Sequence, residues 1–228
     1  LGGAANYWQP TALTQENDAV DLTSLPEDYF LTDAISDHAA DYIREQATSN
    51  GDTPFFLYTA YSAPHWPLHA LKEDIDKYKG RYTKGWDVLR KERYNRMAQL
   101  GIITKDMPLS PRNAKVPKWE DAKASEWQQR RMEVYAAQID RMDQGIGRIM
   151  KKTRELAVED NTLVVFLSDN GGCASFINEN PTAGKQLLYA TLPTMEGEKV
   201  RMGNNPEIKP GPADTHQSYD VWWANASN

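Results

Sequence analysis

Cysteine is nearly missing: Cys173 is the one thiol among 228 residues. That excludes an internal disulfide and a cysteine-built metal cage. Long apolar runs are missing as well. No stretch approaches the roughly 20 residues needed to span a bilayer, and the mean hydropathy is -0.70. Positive charge is not in excess. The net charge is -6 and the pI about 5.3, which argues against general nucleic-acid binding, since that relies on a basic surface. No internal repeat is visible. With 40% hydrophobic and 10% aromatic residues the chain can bury a real core, and its length suits about one or two domains. It carries no signal segment and no starting Met, opens on Leu1-Gly2-Gly3 and stops on "WWANASN". It therefore reads as an internal piece of a longer protein.

Residues 1–31 read as irregular, punctuated by Gly, Asn and Pro. Thr32 looks like an N-cap for a helix from Asp33 to about Ala47, with Ala34, His38, Ala39, Tyr42 and Ile43 on one face. "FFLYTAY" (Phe55 to Tyr61) is an aromatic and β-branched run that predicts a strand. "SAPHWPLHA" breaks it, because two prolines cannot join a central ladder. Trp86, Leu89, Met97 and Leu100 suggest a helix closed by Gly101. The longest helical signal runs from about Ala122 to Leu156, its stripe made by Met132, Tyr135, Ala136, Ile139, Met142, Ile146 and Ile149. From Asn161, "NTLVVFLS" is a continuous apolar run, the pattern of a strand buried on both faces in a parallel sheet of an α/β layer fold. The tail from Gly171 to Asn228 holds no sustained period. It needs something to pack on, or is itself a functional surface.

Two places carry candidate chemistry. In "SDNGG", Asp169 and Asn170 stand where a parallel strand would end, the edge at which ligands collect in open α/β sheets. A carboxylate and an amide carbonyl are hard oxygen ligands for Ca²⁺ or Mg²⁺, and Gly171 and Gly172 leave room beside them. The same letters also make a plain Asp-Asn-Gly turn. In "SAPHWPLHA", His65 lies between two prolines that stiffen the loop around the imidazole. It suits donation to an anionic oxygen or general-acid work; a loop histidine with a satisfied hydrogen bond reads the same way. His69 does not pair with His65 as metal ligands on one helix face, because Pro67 intervenes. If both predicted strands are parallel in one sheet, His65 and Asp169-Asn170 share an edge that suits an oxyanion beside a divalent cation.

"TPFFLYTAYSAPHWPLHA", "YAAQIDRMDQGIGRI" and "NTLVVFLSDNGGCAS" resemble, in this order, the middle segments of type I sulfatases of the arylsulfatase family. "YFLTDAISDHAADYI", "YKGRYTKGWDVLRKERYNRMAQLGI" and "SYDVWWANASN" are similar to the same family, so the likeness covers nearly the whole chain. The resemblance implies an α/β fold, a partial alkaline-phosphatase-like α/β/α sandwich with a mostly parallel central sheet. It implies that residues 1–228 are the central part of one catalytic domain, truncated at both ends. The implied reaction is hydrolysis of a sulfate ester with one Ca²⁺. Asp169 and Asn170 match the family's second pair of calcium ligands, and His65 matches the histidine that contacts sulfate. The implied partner is a sulfate-ester substrate, including sulfated carbohydrate, with no nucleic acid and no membrane span. The implied location is periplasmic, secreted or lysosomal.

Departures accompany the match. The family's nucleophile is a formylglycine made from Cys or Ser in a Cys/Ser-x-Pro-x-Arg motif, and no such motif occurs here. Cys173 is followed by Ala174-Ser175-Phe176, so it is not that cysteine. The first Asp-Asp calcium pair, the Lys-x-His segment and the lysine after Trp-Ala-Asn are also missing. By this reading the piece alone would not turn over. Other readings are a phosphodiesterase or phosphonate hydrolase of the same superfamily, and a non-catalytic relative that binds sulfated glycans.

Smaller signals remain. Asp140 and Asp143 share one side of the long helix, where such acids usually bond a neighbouring loop or pair with Arg141 or Arg148. Residues 72–96 hold nine basic and five acidic residues interleaved with aromatics. They read as a solvated, salt-bridged face or as a rim that attracts a sulfated carbohydrate. Asn225-Ala226-Ser227 fits an N-glycosylation acceptor, a three-residue pattern that chance supplies readily.

Overall fold

The computed structural model describes residues 5–49, 53–104, 106–181 and 192–227. Helices dominate: α1 (Leu31–Ser49), α2 (Lys72–Lys77), α3 (Gly85–Gln99), α4 (Ser125–Glu155) and the short α5 (Asp220–Ala224). Among the described residues the strands are two-residue pieces. β1 (Thr14–Gln15) pairs antiparallel with β2 (Asp18–Ala19), and β3 (Arg201–Met202) pairs parallel with β4 (Thr215–His216). The architecture is mixed α/β.

The predicted strands are where the outcome departs from expectation. Phe55–Tyr61 and residues 161–168 form no ladder among the described residues. Phe56 is 92% and Leu163 89% exposed. A strand is held by a neighbour's backbone, not by its own sequence, and no described segment supplies that neighbour. The described residues thus contain no parallel central sheet.

The long helix is close to its predicted span. It is the axis of the structure, with α1 and α2 packed against it. The predicted stripe is only partly right, because Ile139 is 37% exposed. Burial of Arg131, Val134, Ala137 and Gln138 shows that a second face is covered too. The cover is the tail: the Trp127 indole donates to the Ile208 carbonyl at 2.8 Å, and Trp223 to the Gln128 carbonyl at 2.9 Å. The aperiodic tail therefore does pack, onto α4.

On the other side, Gly145 brings α4 against α1. A Cβ there would sit 2.1 Å from the Ser36 hydroxyl. Arg141 and Arg148 both reach Asp33 of α1, Arg141 at 2.6 Å and Arg148 at 2.8 Å. These arginines pair across helices rather than with Asp140 or Asp143. Thr32, predicted as an N-cap, lies inside the first turn. The helix starts at Leu31, whose amide donates to the Tyr7 carbonyl at 2.8 Å. Burial of Phe30 and Leu31 against Tyr7 pulls the helix start back. Gly101 follows α3 at φ +70°, and the Ile102 amide reaches back to the Met97 carbonyl at 3.0 Å, closing the helix as expected.

Candidate active site

His65 is exposed, while Ala63 and residues 66–70 around it are buried. The loop presents one imidazole from a fixed frame. Its carbonyl is held twice: the Tyr7 hydroxyl donates to it at 2.8 Å, and the Gln138 amide at 3.2 Å. Gln138 also donates to the Pro67 carbonyl at 3.3 Å. Two distant parts of the chain thus meet at the loop. Both X-Pro bonds, Ala63-Pro64 and Trp66-Pro67, are cis.

The ring is oriented as well. His65 Nδ1 lies 2.5 Å from the Trp66 carbonyl, which only accepts, so Nδ1 carries the proton. That leaves Nε2 without a hydrogen bond among the described residues. The imidazole also lies 5.0 Å from the Trp66 ring, and His216 approaches the same indole edge-on at 5.6 Å.

His69 has a different job. It is fully buried. Its Nδ1 accepts from the Tyr7 amide at 3.4 Å, and its Nε2 donates to the Thr215 carbonyl at 2.6 Å. Both nitrogens are used in joining the N-terminal segment to the tail, so neither is offered to a metal. Burial, with a smaller push from His216, drives the His69 pKa down to about 3. Burial also drives His216 down to about 4, helped by the charge of His65.

Asp169 and Asn170 lie exposed in the turn after the apolar run. The Ser168 hydroxyl donates to the Asn170 carbonyl at 2.7 Å, and the Asn170 side-chain amide donates to Gly171 at 2.7 Å. The Asn170 side-chain oxygen accepts no hydrogen bond among the described residues. In kind these donors suit a hard cation, but calcium takes about 6–8 oxygens. Among the described residues no group of three His, Cys, Asp or Glu could hold a metal. No hydrogen bond or ion pair between described residues joins His65 to Asp169 or Asn170. The two predicted halves are present separately.

Asp140 is structural, while Asp143 is exposed. Asp140 accepts from Lys77 at 3.0 Å and from the Tyr78 hydroxyl at 2.9 Å, which is the loop-bonding role expected of it. Asn225 is buried, and its side-chain oxygen accepts from the Asn113 amide at 3.0 Å, so in the folded chain it is not offered as a glycan acceptor. Sequence reasoning missed Tyr7, Gln138 and His216. No local pattern marks them, since each meets the loop across long stretches of chain.

These features define a mixed α/β protein that presents one loop histidine from a buried frame. The chain belongs to the sulfatase family, whose model, described as Sulfatase, matches residues 2–194. It is 34% identical to an arylsulfatase of Klebsiella aerogenes over 207 residues, 90% of this chain and 41% of that protein. It is 35% identical to an uncharacterized sulfatase of Schizosaccharomyces pombe over 175 residues, 75% of this chain and 31% of that protein. A human N-sulphoglucosamine sulphohydrolase is 26% identical over 132 residues, 57% of this chain and 23% of that protein. The chain spans less than half the length of these relatives.

Proposed function

We propose that the chain is the central part of a single catalytic domain that hydrolyses sulfate esters with one calcium ion. The family match over residues 2–194 carries this reading. The larger domain would be the α/β/α sandwich, in which the exposed runs at 55–61 and 161–168 gain strand neighbours from the rest of the parent chain.

His65 would meet the sulfate group. Because Nδ1 is committed to Trp66, Nε2 is the atom that faces substrate. Nε2 donates to a sulfate oxygen only when the ring is protonated, and in that form it can hand its proton to the leaving oxygen. The Tyr7 and Gln138 bonds to the His65 carbonyl would hold this geometry before substrate arrives. Asp169 and Asn170 would be two of the calcium ligands. The ion, when bound, supplies positive charge beside the sulfate oxygens as the ester bond breaks. A formylglycine nucleophile belongs to a segment outside these residues, so residues 1–228 alone would be inactive. The parent would be periplasmic, secreted or lysosomal.

The test uses the full-length parent with an aryl sulfate. The expected result is turnover that chelation abolishes and that His65→Ala lowers by about a hundredfold or more. Asp169→Ala should cut calcium-dependent thermal stabilisation. Turnover of phosphodiesters with none of sulfate esters would overturn the reading in favour of a phosphodiesterase.

A further inference from the structure

The segment that leaves the His65 loop, residues 72–99, carries more cations than it uses. Its acids are largely occupied: Asp74 by Lys77 at 2.7 Å, Asp76 by Lys72, Asp87 by Arg112 at 3.1 Å and Glu92 by Lys84 at 3.6 Å. Glu73, at the start of α2, is the acid left over. Lys79, Arg81, Lys91, Arg93 and Arg96 are exposed and enter no ion pair among the described residues. Arg81 lies over the Tyr78 ring, its guanidinium carbon 5.2 Å from the centroid. That contact steadies the guanidinium without using a carboxylate partner. Arg93 and Arg96 are three apart on α3 and so share one side of it. The salt-bridged reading of this stretch thus holds for half of it only, in a chain whose net charge is -6.

We propose that the exposed cations of this segment, Lys79 to Arg96, form a binding surface for a sulfated polysaccharide, which they engage through sulfates other than the one at His65. The proposal deepens the sulfatase reading and rests on it for the identity of the polymer. Separate cations on long side chains suit sulfates spaced along sugars, each contact weak and the sum sensitive to salt. A continuous phosphate duplex fits less well, because its closely spaced charges call for a denser basic surface than these separate cations give.

The full-length parent would be titrated with dextran sulfate, uncharged dextran and duplex DNA, at about 50 and 200 mM salt, where counterion release is steep. Dextran sulfate should bind, more weakly at the higher salt, and uncharged dextran should not. R93E/R96E should weaken binding by roughly tenfold or more, while K151E/K199E, an equal charge change away from this face, should leave it within about twofold. R93A/R96A, which removes charge without adding any, should show a smaller loss in the same direction and covers the case in which the reversed variant misfolds by circular dichroism. Equal losses in the two charge-reversed proteins, no binding of dextran sulfate, or equally tight binding of DNA would overturn the proposal. Turnover is not read, so failure here leaves the sulfatase reading standing, and a parent that binds yet never cleaves sulfate esters would overturn that reading alone.

Discussion

The Tyr7 hydroxyl donates to the backbone carbonyl of His65 at 2.8 Å, across 58 positions of sequence. Tyr7 is 1% exposed, and burial pushes its hydroxyl pKa up, keeping it protonated as a donor. One hydrogen bond thus ties the start of the chain to the residue it presents. Tyr7→Phe keeps the ring and deletes the donor. It should cost about 1 kcal/mol in urea denaturation. In the parent enzyme it should lower kcat more than it raises KM, since the His65 frame loosens while sulfate can still enter. An unchanged kcat would show that Gln138 alone suffices.

A buried ion pair fastens the tail to α4. Arg131 and Asp220 meet at 2.6 Å, their side chains 0% and 7% exposed. Arg131 also donates to the Ser218 carbonyl at 2.8 Å and the Gln128 side chain at 2.8 Å, and lies over Trp127 at 4.5 Å. Asp220→Ala strands a buried charge and should cost about 3–5 kcal/mol. The double replacement R131M/D220A, which removes both charges, should cost less than the two single changes together. Additivity of the singles in urea unfolding would argue that the pair is not coupled.

Stability should fall as the solution turns mildly acidic. His69 and His216 are held neutral in the fold, with pKa values of about 3 and about 4, while the unfolded chain titrates near 6.5. Their folded values are depressed, so the stability is fully present above about 6.5. It is lost as pH falls towards about 4 for His216 and about 3 for His69. Each should contribute a loss of about 2 kcal/mol between about pH 6.5 and 5. Urea denaturation at the two pH values gives the difference, and equal stabilities would contradict the burial assigned to these rings.

The run from Leu163 to Leu167 should make the isolated chain self-associate. Val165 is 67%, Phe166 72% and Leu167 70% exposed, a contiguous apolar stretch with an open backbone edge. Sedimentation should show mass rising with concentration, and Val165→Lys should suppress it. A monomer at all concentrations would show that this edge is covered in solution.

What was legible in the sequence follows the range of the forces involved. The α4 span and the Gly101 closure depend on residues within a turn or two, and both emerge close to their predicted places, whereas the α1 face does so only in part: Ala39 and Ile43 are buried, but His38 and Tyr42 are exposed, and Ser36 is buried instead. Thr32 went wrong because distant Tyr7 burial, not local capping, sets the start of α1. The predicted strands depend on neighbours that the described residues do not supply. For the site, the motif around His65 was readable, yet what holds it was not. Gln138 hides as one polar residue on a long helix, 73 positions from the carbonyl it bonds. The 72–96 stretch read as charged, but only the structure separates its paired cations from its unpaired ones.

The central claim is that these residues are the middle of a sulfatase catalytic domain. The measurement that tests it most directly is to determine the coding sequence on both sides of them. The account predicts an upstream Asp-Asp pair and a Cys/Ser-x-Pro-x-Arg motif, with a lysine shortly after Asn228. An uninterrupted reading frame that lacks that nucleophile motif would contradict it and leave a non-catalytic relative that binds sulfated glycans.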